Sequence, residues 1–68
     1  MISYSKLWDY MEKNGISQYK LLKEGISHSS LGRLKNNQPV NIETIDKLCT
    51  ILDCRVEEII EHVRDKKG

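Results

Sequence analysis

Apolar positions recur along the chain at helical spacing, with no stretch of the strict alternation that a half-buried strand requires. Tyr4, Leu7, Trp8 and Met11 stand at i, i+3, i+4 and i+7, and Asn14-Gly15 supplies the stop. Ile16-Ser17 sets an apolar residue before a capping hydroxyl. A short second helix therefore runs from Gln18 to Lys23, carrying Tyr19, Leu21 and Leu22, and ends at Glu24-Gly25. The same device, Ile26-Ser27, opens a third helix from His28 to Asn36 whose inward positions are Leu31 and Leu34. Asn36-Asn37-Gln38-Pro39 reads as a loop, because Pro39 disfavours helical geometry at Gln38 and asparagine enters turns readily. Asn41 caps a fourth helix with a broad inward face of Ile42, Ile45, Leu48, Cys49 and Leu52, and Glu43 and Asp46 favour its start electrostatically. Beyond a break at Asp53 to Arg55, Val56, Ile59, Ile60 and Val63 repeat the helical stripe, with Glu57 and Glu58 in the first turn. The pattern predicts an all-α fold of five short helices and no strand.

Size and composition then narrow the field. The 68 residues are 38% hydrophobic and 31% charged, enough for one small core and too few for a two-domain enzyme. One domain is expected over 1–68, its core at about 4–63 and a polar tail from Arg64 to Gly68. The longest apolar run is two residues, as at Leu21-Leu22, against the roughly twenty of a membrane span. No membrane association or export signal is expected, and the cytoplasm is the expected location. Cys49 and Cys54 are too few for a secreted scaffold and read as free, buried thiols. With His28 and His62 they offer no paired ligand spacing, so neither a metal nor any other cofactor is expected. No acid–base pair, nucleophile–base spacing or glycine-rich phosphate loop is visible, so neither an enzyme nor a small-molecule substrate is expected.

The formal net charge of +1 conceals an asymmetry. Residues 1–38 carry six Lys or Arg against three acids, and residues 39–68 carry five against seven. Positive potential therefore gathers in the N-terminal half. Within that half the third helix has only Leu31 and Leu34 to bury, while His28, Ser29, Gly32, Arg33, Lys35 and Asn36 point elsewhere. Such a helix is built to touch something polar. It follows a short helix across a turn containing Gly25, the arrangement of a helix-turn-helix whose second helix enters the major groove of DNA.

Ile16-Ser17-Gln18, Leu21-Leu22, Gly25-Ile26-Ser27, Leu31, Leu34, Asn36, Leu48-Cys49 and Leu52-Asp53-Cys54 together resemble the Cro/phage-repressor (XRE) helix-turn-helix family, from about Leu7 to Ile60. The resemblance is greatest to its small, stand-alone bacterial regulators. It implies a compact five-helix, lambda-repressor-like domain and roles position by position. Gln18 matches the glutamine that holds a backbone phosphate, and His28, Ser29, Gly32 and Arg33 match positions facing base edges. Arg33 can offer its fork to the O6 and N7 of guanine, a contact of roughly 1 to 3 kcal/mol in discrimination. Lys35, Asn36 and Asn37 match the helix-end loop that grips phosphate, and Ser27, first of all a cap, joins the phosphate set. The chain departs from the family in a seven-residue step from Gln18 to Gly25, one shorter than in many members, and in Leu22 where alanine is usual.

The function implied is a sequence-specific, double-stranded DNA-binding transcriptional regulator, a repressor acting at a promoter. The small net charge favours a homodimer on a pseudo-palindromic operator, where two half-sites add through effective concentration. The alternative is a protein-interaction module of the same fold, binding a partner repressor or a polymerase subunit. It would show an exposed apolar patch on helix one or helix five.

Overall fold

The computed structural model of the chain describes residues 1–64. A two-residue strand β1 (Ile2–Ser3) leads into four helices: α1 (Ser5–Lys13), α2 (Gln18–Lys23), α3 (His28–Lys35) and α4 (Ile42–Leu52). A single 3₁₀ turn (Val56–Glu58) and a second strand β2 (Glu61–His62) follow. Leu7 and Met11 of α1, Leu21 of α2, Leu31 and Leu34 of α3, and Ile45, Leu48 and Leu52 of α4 share one core with Tyr4, Ile26 and Ile59. Burial of these side chains is the dominant favourable term holding so small a domain together.

The helix starts follow from local chemistry. Ser17 Oγ accepts from Lys20 N, Ser27 Oγ from Ser30 N at 3.1 Å, and Asn41 Oδ1 from Thr44 N at 2.9 Å, each satisfying an amide the first turn leaves unpaired. The helix ends share one geometry. A residue with positive φ follows each helix: Gly15 at 65°, Gly25 at 114°, Asn37 at 53° and Asp53 at 53°. The next N–H then reaches back five residues. Ile16 bonds to Met11 O at 2.8 Å, Ile26 to Leu21 O at 2.9 Å, Gln38 to Arg33 O at 2.8 Å and Cys54 to Cys49 O at 3.1 Å. These are Schellman endings, in which the two residues joined by that bond usually pack as an apolar pair. Met11 with Ile16 and Leu21 with Ile26 fit that rule, and Cys49 with Cys54 take the same places at the end of α4.

Three expectations are corrected. The fifth helix does not form: Ile59 N and Ile60 N both bond to Val56 O at 3.0 Å, and the turn stops there. Glu61 and His62 instead pair antiparallel with Ser3 and Ile2, so the described residues form four helices and a small ribbon rather than five helices and no strand. A helix of eight residues is marginal, and Val56, Ile59, Ile60 and Val63 are all β-branched, which favours extended backbone once a partner strand is at hand. His62 lies on β2. Of the expected stripe, Ile59 is buried and Ile60 half-buried, while Val56 and Val63 are exposed. Ile42 is not part of the inward face of α4; it is 80% exposed in the first turn, and the inward face runs from Ile45. The expected tail from Arg64 onward lies, past Arg64 itself, outside the described residues.

Candidate nucleic-acid interface

Helices α2 and α3 are held at their junction by main-chain bonds and a shared apolar contact. Gly25 adopts the positive φ of the turn, Ile26 behind it is buried, and Ser27 starts α3 one residue later. The turn therefore fixes where α3 begins. Leu31 and Leu34 anchor the helix in the core, 6% and 0% exposed. With about 100° between successive residues, the face opposite these leucines is formed by Ser29, Gly32, Arg33 and Asn36, spaced i, i+3, i+4 and i+7. Ser29, Arg33 and Asn36 are exposed, and a Cβ at Gly32 would meet nothing within 4 Å. His28 and Lys35, also exposed, lie along one side of this stripe. Among the described residues no carboxylate lies within ion-pairing distance of Arg33 or Lys35.

Not every expected contact residue has a free side chain. Ser27 Oγ accepts from Ser30 N and donates to Ser30 Oγ, both at 3.1 Å, so its hydroxyl is committed to the cap. Asn36 Nδ2 donates to Gly32 O at 2.9 Å. Asn37 Oδ1 accepts the Tyr4 N–H at 3.0 Å, and Tyr4 Oη donates to Gln38 O at 3.0 Å. These two bonds clamp the loop after α3 to the start of α1, which gives Asn37 a structural duty the sequence did not reveal. Gln18 is exposed at the head of α2, and its side chain makes no hydrogen bond among the described residues.

Gln38 was not among the residues singled out from the sequence. The Schellman bond sets it beside Arg33, and both are exposed. At the other three helix ends the corresponding pair is apolar or thiol and buried or half-buried. Only at α3 is the pair polar and turned to solvent. The run Asn37-Gln38-Pro39 carried the signal, because asparagine tolerates the positive φ that such an ending needs.

The thiols lie elsewhere, at the end of α4. Cys49 and Cys54 are free and half-buried. Burial raises both pKa values, Cys54 up to about 11 with a further push from Cys49. Among the described residues no group of three or more His, Cys, Asp or Glu side chains could hold a metal ion, and no helix is long and apolar enough to cross a membrane.

A small domain whose polar, exposed helix follows a capped turn on a short preceding helix belongs to the helix-turn-helix class of DNA-binding proteins. The family model of the Cro/C1-type HTH DNA-binding domain matches residues 6–65, and the chain belongs to that family. Its fold is similar to the crystal structure of transcriptional regulator VanUg, with a TM-score of 0.87 and 28% identity over 94% of this chain and 87% of that one. A comparison with curated proteins found no match.

Proposed function

We propose that this protein is a sequence-specific regulator of transcription that binds double-stranded DNA, with α3 in the major groove, and represses by occupying a promoter. The observation that carries this reading is the uncovered stripe Ser29–Gly32–Arg33–Asn36 on a helix whose other face is pinned by Leu31 and Leu34. Arg33 reads guanine through its two-pronged donor set, and Ser29 and His28 contact neighbouring base edges. Gly32 lets the helix backbone approach closely. Gln18 and Lys35 hold phosphates on the two sides of the groove. Ser27, Asn36 and Asn37 join them with the donors their caps leave free: the Ser27 main-chain N–H, one amide hydrogen of Asn36 and the Asn37 Nδ2 group. Gln38 stands beside Arg33 as a further polar contact.

In this reading the protein acts in the cytoplasm without a cofactor, as a homodimer on a pseudo-palindromic operator whose half-site centres lie about 34 Å apart. Fluorescence anisotropy on a duplex selected from random sequences, and on a random duplex, tests this. Arg33→Ala is expected to lose about 1 to 3 kcal/mol of preference for the selected duplex. Lys35→Ala should weaken both duplexes alike and lower the salt slope by about one. Equal, salt-insensitive binding by wild type and both variants would overturn the reading.

A further inference from the structure

The loop after α3 is held from two directions. From α3 itself, Asn37 N donates to Leu34 O at 3.3 Å and Gln38 N to Arg33 O at 2.8 Å. From the head of α1, Tyr4 N donates to Asn37 Oδ1 and Tyr4 Oη to Gln38 O, both at 3.0 Å. Tyr4 is well placed to hold a neighbour: its ring is part of the core, and it directly follows β1, which the ribbon ties to β2. These bonds settle which way the Asn37 carboxamide faces. A main-chain N–H can donate only to the oxygen of that group, so Oδ1 is turned to Tyr4 and the two hydrogens of Nδ2 are carried on the other branch. Asn37 is exposed, and among the described residues no acceptor engages its Nδ2. The Gln38 peptide is likewise bonded on both sides, which leaves its exposed side chain beside Arg33.

We propose that Tyr4 is a positioning residue for DNA binding: its main-chain N–H and its hydroxyl hold the loop so that Asn37 offers a hydrogen-bond donor, and not an acceptor, to a backbone phosphate. This rests on the DNA-binding reading above and assigns a part of that site which does not itself touch the duplex. The anionic oxygens of a phosphate only accept, so a carboxamide turned the other way would set oxygen against oxygen. A free carboxamide samples both orientations and must be ordered on binding, whereas one already held loses less freedom. The backbone serves the same end. Asn37 has a φ of 53°, and asparagine enters that region more readily than most residues while still bringing a carboxamide to the loop.

Tyr4→Phe removes the hydroxyl bond and keeps the buried ring. Asn37→Asp keeps the acceptor for Tyr4 N–H and tolerates the positive φ, but turns a carboxylate oxygen toward the duplex. Circular dichroism melts, amide hydrogen exchange, NMR of the Asn37 side-chain amide and anisotropy on the selected and random duplexes read the outcome. Tyr4→Phe should bind both duplexes about threefold to tenfold more weakly while folded, since phosphate contacts carry no sequence information. The Asn37 Nδ2 resonances should shift when the duplex is added to wild type, and shift less in Tyr4→Phe. Asn37→Asp should keep its Tyr4 N–H protected from exchange, yet bind at least about tenfold more weakly at low ionic strength, with a deficit that shrinks as salt screens the repulsion. A bond that served only the fold would leave this variant, which retains it, at wild-type affinity. Wild-type affinity in folded Tyr4→Phe, or an Asn37 side-chain amide that the duplex does not move, would overturn the positioning role and leave the DNA-binding reading standing. A wild type that binds neither duplex would overturn both. Should Tyr4→Phe unfold, Asn37→Asp decides: weaker binding with the Tyr4 N–H still protected supports the role, and wild-type affinity overturns it.

Discussion

A Cβ at Gly32 would meet nothing within 4 Å, so packing does not call for glycine there. A glycine inside a helix costs about 0.8 to 1 kcal/mol relative to alanine. What its bareness leaves is room for a base edge or a phosphate to approach α3 between Ser29 and Arg33. Gly32→Ala is therefore expected to raise the unfolding free energy by about 1 kcal/mol in urea titrations and, in the same protein, to weaken DNA binding. An alanine variant that is stabilised and binds with full affinity would leave Gly32 without a part in recognition. Other residues show how far single positions could be read from the sequence. Leu31 and Leu34 were legible as core because their spacing has one physical meaning. Asn37 was legible as a loop residue, but its bond to Tyr4 N spans 33 positions and no local pattern announces it. Ile42 was misread because helical periodicity fixes a direction, and whether anything packs there is decided by distant chain.

At the scale of elements, α1 to α4 were legible because their starts and stops are local: Ser17, Ser27 and Asn41 at the caps, Gly15 and Gly25 at the turns. The ribbon was not. Its strands are two residues each, too short to alternate, and Ile2 pairs with His62 from the far end of the chain. The end of α4 carries its own prediction. Cys49 and Cys54 fill a place that α1 and α2 give to an apolar pair, and burial holds Cys54 at about 11 against its ordinary 9.0. A thiol whose folded pKa is raised stabilises the fold fully below the unfolded value, and that contribution is lost as pH rises through the folded value. Thermal melts should therefore show a thiol-dependent loss of stability between pH about 9 and 11, absent from a Cys49→Val, Cys54→Val variant. Tyr10, whose pKa burial also raises, contributes with the same sign and remains in both proteins. Iodoacetamide should label the native thiols much more slowly than the unfolded ones near neutral pH. Rapid labelling of the folded protein would show that the pair is not held as neutral, packed side chains.

For the molecule as a whole, the basic N-terminal half carries the face proposed to meet DNA, and the acidic C-terminal half lies away from it. Lys20, Lys23, Arg33 and Lys35 lie on α2 and α3, and Glu57, Glu58 and Glu61 lie by the ribbon. Charge steers the duplex toward α2 and α3. The helix-turn-helix class was legible because it rests on short-range punctuation and spacing, while the ribbon joining the two ends of the chain depends on a long-range pairing that only coordinates reveal. On the proposed reading a duplex sits against the exposed face of α3. Amide NMR of isotope-labelled protein titrated with its selected duplex tests it most directly. Shifts are expected to concentrate at Gln18, at Ser27 to Ser29 and from Gly32 to Gln38, with Asp9, Glu12 and Lys13 on the outer side of α1 unmoved. Shifts concentrated on α1, with α3 unmoved, would contradict it.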